Sequence, residues 1–230
     1  MFPVIILAGG LATRLGDLTK EIPKSLLPIN DKPFINYQLE SLESQGLNTV
    51  IICTGHLGKK ITEYLEKNYT GSLNISFSND GHKPLLTGGA IKKASAALTG
   101  PFFVLYGDSY LDITYKDVEE AYEINTGPLM VIYKNQGLFD VSNVHLTEEG
   151  FFYSKKKGPN KKSNYIDYGL SIFEKRHFKS TKKSFDLSIL QETFSDQGKL
   201  QYFVSNQRFY EIGSHAGIDE LSSRLEDERN

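Results

Sequence analysis

The chain opens on Pro3-Val4-Ile5-Ile6-Leu7-Ala8, an unbroken apolar run rich in β-branched residues that stops at Gly9-Gly10. A run without polar alternation reads as a strand buried on both faces, and such strands belong to parallel sheets. Ile35, Leu39 and Leu42 then recur at i, i+4 and i+7, opened by Pro33 and closed by Gly46, which predicts an amphipathic helix. The alternation continues with a strand over 49–53, a helix marked by Ile61, Tyr64 and Leu65, and a strand over 73–77. A helix starting near Gly89 and carrying Ile91, Ala94 and Leu98 comes next, then a strand over 102–106 that halts at Gly107-Asp108. Strands alternating with helices imply right-handed βαβ units and an α/β, doubly wound, mostly parallel sheet.

The second half reads as a β-rich C-terminal portion. Strands are expected over 129–133, 141–146 and 151–154, the last two joined by a hairpin turn at Thr147-Glu148-Glu149-Gly150, and over 165–173, 200–204 and 208–212. Asp186 is placed to cap a helix carrying Leu187, Leu190 and Phe194, and Ser214 another carrying Ile218, Leu221 and Leu225. No Ser/Pro-rich linker and no repeat of 20 to 50 residues divides the 230 residues, so one α/β domain spanning 1–230 is expected.

Composition narrows the function. Lys and Arg (26) nearly cancel Asp and Glu (28), a net charge of −2 that argues against coating nucleic acid by bulk charge, so an anionic ligand must be held by local placement. The one cysteine, Cys53, rules out an intrachain disulfide and points to a reducing compartment. The stretch from Phe2 to Ala8 is too short for a signal-peptide core or a membrane span and lacks a basic leader, so a cytoplasmic protein with no membrane partner is expected. His56, His82, His145, His177 and His215 show no metal-ligand spacing and read as surface or loop residues. No G-x-S-x-G elbow is present, and the 13 Tyr and 14 Phe are spread through the strands as core aromatics are.

The chemistry concentrates in Leu7-Ala8-Gly9-Gly10-Leu11-Ala12-Thr13-Arg14-Leu15 and in Pro23-Lys24-Ser25-Leu26-Leu27-Pro28. Glycines after a buried strand let backbone N–H groups close on phosphate oxygens, while Arg14 adds a bidentate fork and Lys24 a point charge. Leu11 breaks the dinucleotide G-x-G-x-x-G spacing, and Pro23 stands where a Walker loop requires Gly. On spacing alone, a tight strand-to-helix turn with two surface cations accounts for the same residues.

The string LAGGLATRL, continuing through Thr19 to PKSLLPI, closely resembles the signature of nucleotidyltransferases that join a nucleoside triphosphate to a sugar 1-phosphate. That family includes mannose-1-phosphate and D-glycero-α-D-manno-heptose 1-phosphate guanylyltransferases and the short N-acetylmuramate 1-phosphate uridylyltransferases. Leu86-Thr87-Gly88-Gly89-Ala90 resembles its base-recognition loop and Tyr106-Gly107-Asp108-Ser109 its metal-binding segment. Asp167-Tyr168-Gly169 resembles its sugar loop, and Glu211-Ile212-Gly213 its second metal position. These segments fall in family order across nearly the whole chain, whose length matches the members without a C-terminal β-helix.

The resemblance implies a Rossmann-like, glycosyltransferase-A-like fold with a nucleotide-binding half over 1–110 and a sugar-phosphate half over 111–230. It assigns Leu7, Ala8 and Gly9 to base and ribose, and Gly10 to Arg14, including Thr13, to the triphosphate, with Arg14 neutralising the leaving pyrophosphate. Lys24 falls at the α-phosphate, and Thr87, Gly88 and Gly89 at the base. Asp108 and Glu211 fall at a Mg²⁺ ion, and Asp108, Lys157, Asp167 and Gly169 at the sugar phosphate. Two departures are visible. Glu211 stands where many relatives carry Asp, and Lys156-Lys157 replaces a Glu-Lys pair that contacts the sugar and its phosphate. Arg14, Lys24 and Asp108 are thereby the catalytic candidates, with GTP and a mannose- or heptose-type 1-phosphate the leading substrates. Relatives acting on phosphocholine with CTP and non-catalytic nucleotide-sugar-binding homologues are the alternatives, and a homo-oligomer is compatible with the sequence.

Overall fold

The computed structural model describes residues 1–10, 15–16, 18–148, 150–155 and 163–227. Seven strands make the central sheet: β1 (Val4–Leu7), β2 (Thr49–Thr54), β3 (Asn74–Asn79), β4 (Pro101–Tyr106), β5 (Leu129–Tyr133), β6 (Ile166–Glu174) and β7 (Gln201–Ser205). Their order is β7-β5-β6-β4-β1-β2-β3. All pairings are parallel except those of β6, which runs against β4 and β5. Six strands therefore end, and β6 begins, at one edge of the sheet. The β-rich second half thus contributes three strands to the same sheet as the first.

Side chains of successive strand residues leave on opposite faces, which explains the unbroken apolar run of β1. Val4 and Ile6 pack with Ile35, Leu39 and Leu42 of α1 (Phe34–Ser44), with Ile61 and Leu65 of α2 (Gly58–Asn68), and with Tyr115 and Val118 of a later helix. Ile5 packs on the other face with Ala90 and Ile91 of α3 (Leu86–Ala94), below Leu187 and Leu190 of a helix from the second half. The helix with Tyr115, α4 (Tyr115–Glu120), carries too short an apolar pattern to be anticipated. Asp186 caps α5 (Leu187–Asp196), accepting from the Ser188 N–H, as expected. The last helix, α6 (His215–Asp227), lays Leu221 and Leu225 on Ile29, Phe34 and Tyr37.

Three expectations are corrected. Helix α3 starts at Leu86 rather than near Gly89, because Gly88 and Gly89 are packed too closely to leave the helix: a Cβ would stand 2.2 Å from Phe185 Cε2 and 2.4 Å from the Lys183 carbonyl, respectively. Tertiary packing here overrides glycine's poor helix propensity. The strand expected from 141 begins at Val144, and Val141 is exposed. His177, expected at the surface, is buried between Phe173 and Phe194, with Nδ1 accepting from the Glu174 N–H at 3.1 Å. Burial, reinforced by Arg176, lowers its pKa to about 4, so it packs as a neutral ring.

The close meeting of β1 and β4 sets where Asp108 emerges from the sheet. The Gly107 N–H donates to the Leu7 carbonyl at 3.1 Å, and a Cβ on Gly107 would stand 2.4 Å from that oxygen. The variant Gly107→Ala is expected to lose about 1–3 kcal/mol, the usual cost of forcing an extra carbon into a packed interior. Thermal denaturation measures it, and an unchanged Tm would refute the close approach.

Candidate active site

Asp108 lies two residues beyond β4, after Gly107, at the edge where open α/β sheets place ligands. Beyond it, Ser109–Leu111 pairs antiparallel with Phe209–Glu211, setting Ser109 opposite Glu211, and the Ile212 N–H donates to the Asp108 carbonyl at 3.0 Å. A short ribbon thus brings Asp108 and Glu211 together across a hundred residues of chain. Lys24 enters from the 3₁₀ turn Lys24–Leu26 that follows Pro23. Its Nζ lies 2.8 Å from Asp108 Oδ2, and both this Nζ and Glu211 Oε2 lie 3.7 Å from where a Gly213 Cβ would be.

Two carboxylates and an ammonium therefore share one small volume. Mg²⁺ takes oxygen ligands, keeps several waters and commonly binds through one or two carboxylates plus substrate phosphates. Asp108 and Glu211 fit that pattern. Among the described residues no group of three or more His, Cys, Asp or Glu gathers, so phosphate oxygens and water would complete the coordination. The Glu211 side chain reaches this volume from a ribbon strand.

The glycine loop leaves β1 just above this cluster. The Leu7 carbonyl accepts from Gly107 and the Ala8 N–H donates to the Cys53 carbonyl at 3.0 Å, so these groups serve the sheet. Gly9 lies against Gly55, where a Cβ on Gly55 would stand 2.8 Å from the Gly9 carbonyl, while Gly10 is exposed with open space around it. Thr13, Arg14 and Lys157 lie outside the described residues. In the base-loop candidate, Thr87 Oγ1 accepts from the Leu187 N–H at 2.8 Å. The N–H groups of Gly88 and Gly89 donate to the Phe185 carbonyl at 3.0 and 3.3 Å. All three residues lock the loop onto the start of α5, and their N–H and hydroxyl contacts here are internal.

Asp167 stands at the start of the reversed strand β6, on the same edge. Its Oδ2 accepts from the Tyr106 hydroxyl at 3.1 Å and its Oδ1 from the Gly169 N–H at 3.0 Å, while its own N–H donates to Asn143 Oδ1 at 2.9 Å. Gly169 has φ +89, and a Cβ would stand 2.8 Å from Ser109 Oγ, so this position requires glycine. Asn143 and Gly55 were not evident from the sequence, and Tyr106 entered it as part of the Tyr106–Ser109 segment, not as a partner of Asp167. Tyr106 had a faint mark, a polar-tipped aromatic at the end of an apolar strand beside Gly107-Asp108, and the other two had none.

Desolvation at the strand ends pushes the Asp167 carboxyl up to about 6, only partly offset by its hydrogen bonds and by Lys155. A raised carboxyl pKa means that the folded state binds the proton more tightly than the unfolded chain, so ionised Asp167 weakens the fold above pH 6. Asp167→Asn is accordingly expected to melt above the native protein at pH 7.5, with the gap closing as pH falls through 6 towards 4. A gap independent of pH would contradict the assignment.

The arrangement has relatives. Residues 3–137 match the nucleotidyl transferase family. The chain is 34% identical over 198 residues to the D-glycero-alpha-D-manno-heptose 1-phosphate guanylyltransferase of Campylobacter jejuni, over 86% of this chain and 84% of that one. It is 33% identical over 216 residues to the protein of that name from Aneurinibacillus thermoaerophilus, covering 91% and 92%. It superimposes on HddC from Yersinia pseudotuberculosis complexed with GMP-PN with a TM-score of 0.81 and 25% identity, over 98% of this chain and 100% of that one. The match over 3–137 and two relatives at least 33% identical over most of this chain show that it belongs to the nucleotidyl transferase family, as a sugar-1-phosphate nucleotidyltransferase.

Proposed function

We propose that the chain transfers a guanylyl group from GTP to a heptose- or mannose-type sugar 1-phosphate, releasing pyrophosphate, with Mg²⁺ as its cation. The observation that carries this reading is the junction of Lys24, Asp108 and Glu211 at the carboxyl edge of the sheet. The guanine base is supported by the two guanylyltransferases matched over more than four fifths of each chain and by the GMP-PN complex of the Yersinia protein.

In the reaction, a phosphate oxygen of the sugar 1-phosphate bonds to the α-phosphorus, the bond from that phosphorus to the bridging oxygen breaks, and pyrophosphate leaves. The attacking oxygen is already an anion at neutral pH, so positioning and charge screening supply the catalysis without a general base. Lys24 exchanges its Asp108 partner for the α-phosphate, where charge must be held as the transition state forms. Asp108 and Glu211 hold Mg²⁺, which when bound screens the triphosphate charge. Asp167 and the Gly169 turn receive sugar hydroxyls, Lys157 the acceptor phosphate, and Arg14 the pyrophosphate. The nucleotide half is 1–110 and the sugar-phosphate half 111–230, within one domain. Cys53 is free and buried, in keeping with a reducing cytoplasm. Among the described residues no helix is long and apolar enough to cross a membrane.

Pyrophosphate release with Mg²⁺ tests the reading, with GTP, CTP, UTP, ATP and dTTP each offered heptose 1-phosphate, mannose 1-phosphate or phosphocholine. Release with GTP and one of the sugars is the expected result; release confined to CTP with phosphocholine identifies a cytidylyltransferase, and nucleotide binding without release identifies a non-catalytic homologue. Asp108→Ala is expected to lower kcat more than about 100-fold while keeping the native Tm. Arg14→Ala is expected to raise the KM for GTP about tenfold, the equivalent of ~1.4 kcal/mol. Native rates from Asp108→Ala would remove the cation from that residue.

A further inference from the structure

The apolar stripe of α1 contains one residue that does not belong to it by chemistry. Ile35, Leu39 and Leu42 face the core, and Gln38, three residues after Ile35 and four before Leu42, shares that face and is 3% exposed. A leucine would satisfy the helix pattern and the packing there. The amide instead reaches the Asp108 turn: Nε2 donates to the Tyr106 carbonyl at 3.0 Å and to the Ser109 carbonyl at 2.8 Å. Those two carbonyls bracket Gly107 and Asp108. Within the bracket the Gly107 N–H is tied to the Leu7 carbonyl and the Asp108 carbonyl to the Ile212 N–H, at 3.1 and 3.0 Å. Every residue from 106 to 109 is therefore anchored, and Gln38 is the side chain that anchors both ends.

The same amide is not arranged for stability. Gln38 Oε1 is buried without a hydrogen-bond partner among the described residues, and an unmet buried acceptor is destabilising. A buried polar residue in an apolar stripe, using both donor hydrogens on one functional turn and leaving its acceptor unmet, is the kind of local conflict that marks a functional constraint. We infer that Gln38 is a positioning residue, which holds the Tyr106–Ser109 turn so that the Asp108 carboxylate meets its divalent cation and the cation-bound triphosphate. It acts through the backbone and touches neither substrate nor cation. The inference rests on Asp108 as a cation-binding residue.

The test measures cation binding without turnover. Mn²⁺ affinity is read by electron paramagnetic resonance on the full chain with a non-hydrolysable GTP analogue, alongside Tm and the half-saturating Mg²⁺ concentration for pyrophosphate release. Gln38→Met keeps the length and loses both donors. It is expected to weaken Mn²⁺ binding and raise the Mg²⁺ requirement about 10–100-fold, the usual effect of removing a residue that orients a metal ligand. Gln191→Met is the matched control: Gln191 is also fully buried with Oε1 unpartnered, but its Nε2 faces Ser171, away from the Asp108 turn. It is expected to shift Tm comparably and leave Mn²⁺ affinity unchanged. Native Mn²⁺ affinity in Gln38→Met, or an equal loss in Gln191→Met, overturns the inference. Should Gln38→Met fail to fold, Gln38→Glu, which keeps the shape and replaces the donor amide by a carboxylate, is judged by the same measurements. Asp108→Asn is run in parallel. If it binds Mn²⁺ normally, the cation reading itself falls, whereas if it weakens binding and the Gln38 variants do not, only the positioning role falls.

Discussion

Strands β1 and β4 end side by side, joined by the Gly107 N–H and the Leu7 carbonyl at a spacing that admits no Cβ. The glycine loop leaves from one of these strands and Asp108 from the other, so the distance between the proposed triphosphate and cation sites is set by a backbone contact in the middle of the sheet. The contact is possible because the sheet is parallel here and both strands deliver their carboxyl ends to one edge. Reversal of β6 completes the site. A seventh parallel strand would bring its end to this edge, whereas β6 brings its beginning, and with it Asp167 and Gly169, beside Tyr106.

A chain with a net charge of −2 that handles two polyanions must place its cations locally. Lys24 does so as the partner of Asp108, in a pair that is partly exposed and therefore contributes little to stability. The two carboxylates of the site are separated in environment. Asp108 faces an ammonium, while Asp167 is held by a hydroxyl and a backbone N–H at the strand ends, where desolvation raises its pKa to about 6. Carboxylates in such different surroundings suit the different tasks proposed for them, one beside a cation and one beside sugar hydroxyls.

The polar residues buried around the Asp108 turn show how the fold sacrifices some stability for placement. Gln38 occupies a core position and leaves an acceptor unmet. Glycines at 107 and 169 stand where a side chain would strike Leu7 or Ser109. The glycines are fixed by close packing and Gln38 by its hydrogen bonds to the turn, and all three lie at or beside Asp108 and Asp167.

The element pattern was legible in the chain because β1, β2 and β4 are apolar on both faces and α1 and α2 are apolar on one, so periodicity alone separates strand from helix. Asp108, Asp167 and Glu211 were singled out for a different reason: the short motifs around them, in their order along the chain, resemble those of a known family, and the structure brings these three residues to one edge of the sheet. Helix α4 was not, being six residues long, nor was the start of α3, which close packing against Lys183 and Phe185 decides. His177 gave no indication of burial, because nothing in its neighbours announces that Phe173 and Phe194 close over it. The sequence by itself determined most of the strands and the longer helices, and the identities of the charged groups, since those depend on local pattern. Only the tertiary structure decided that Glu211 lies beside Asp108, that Tyr106 holds Asp167 and that Gln38 braces the turn, because contacts between residues so far apart in the chain depend on strand order and direction, which no local stretch encodes.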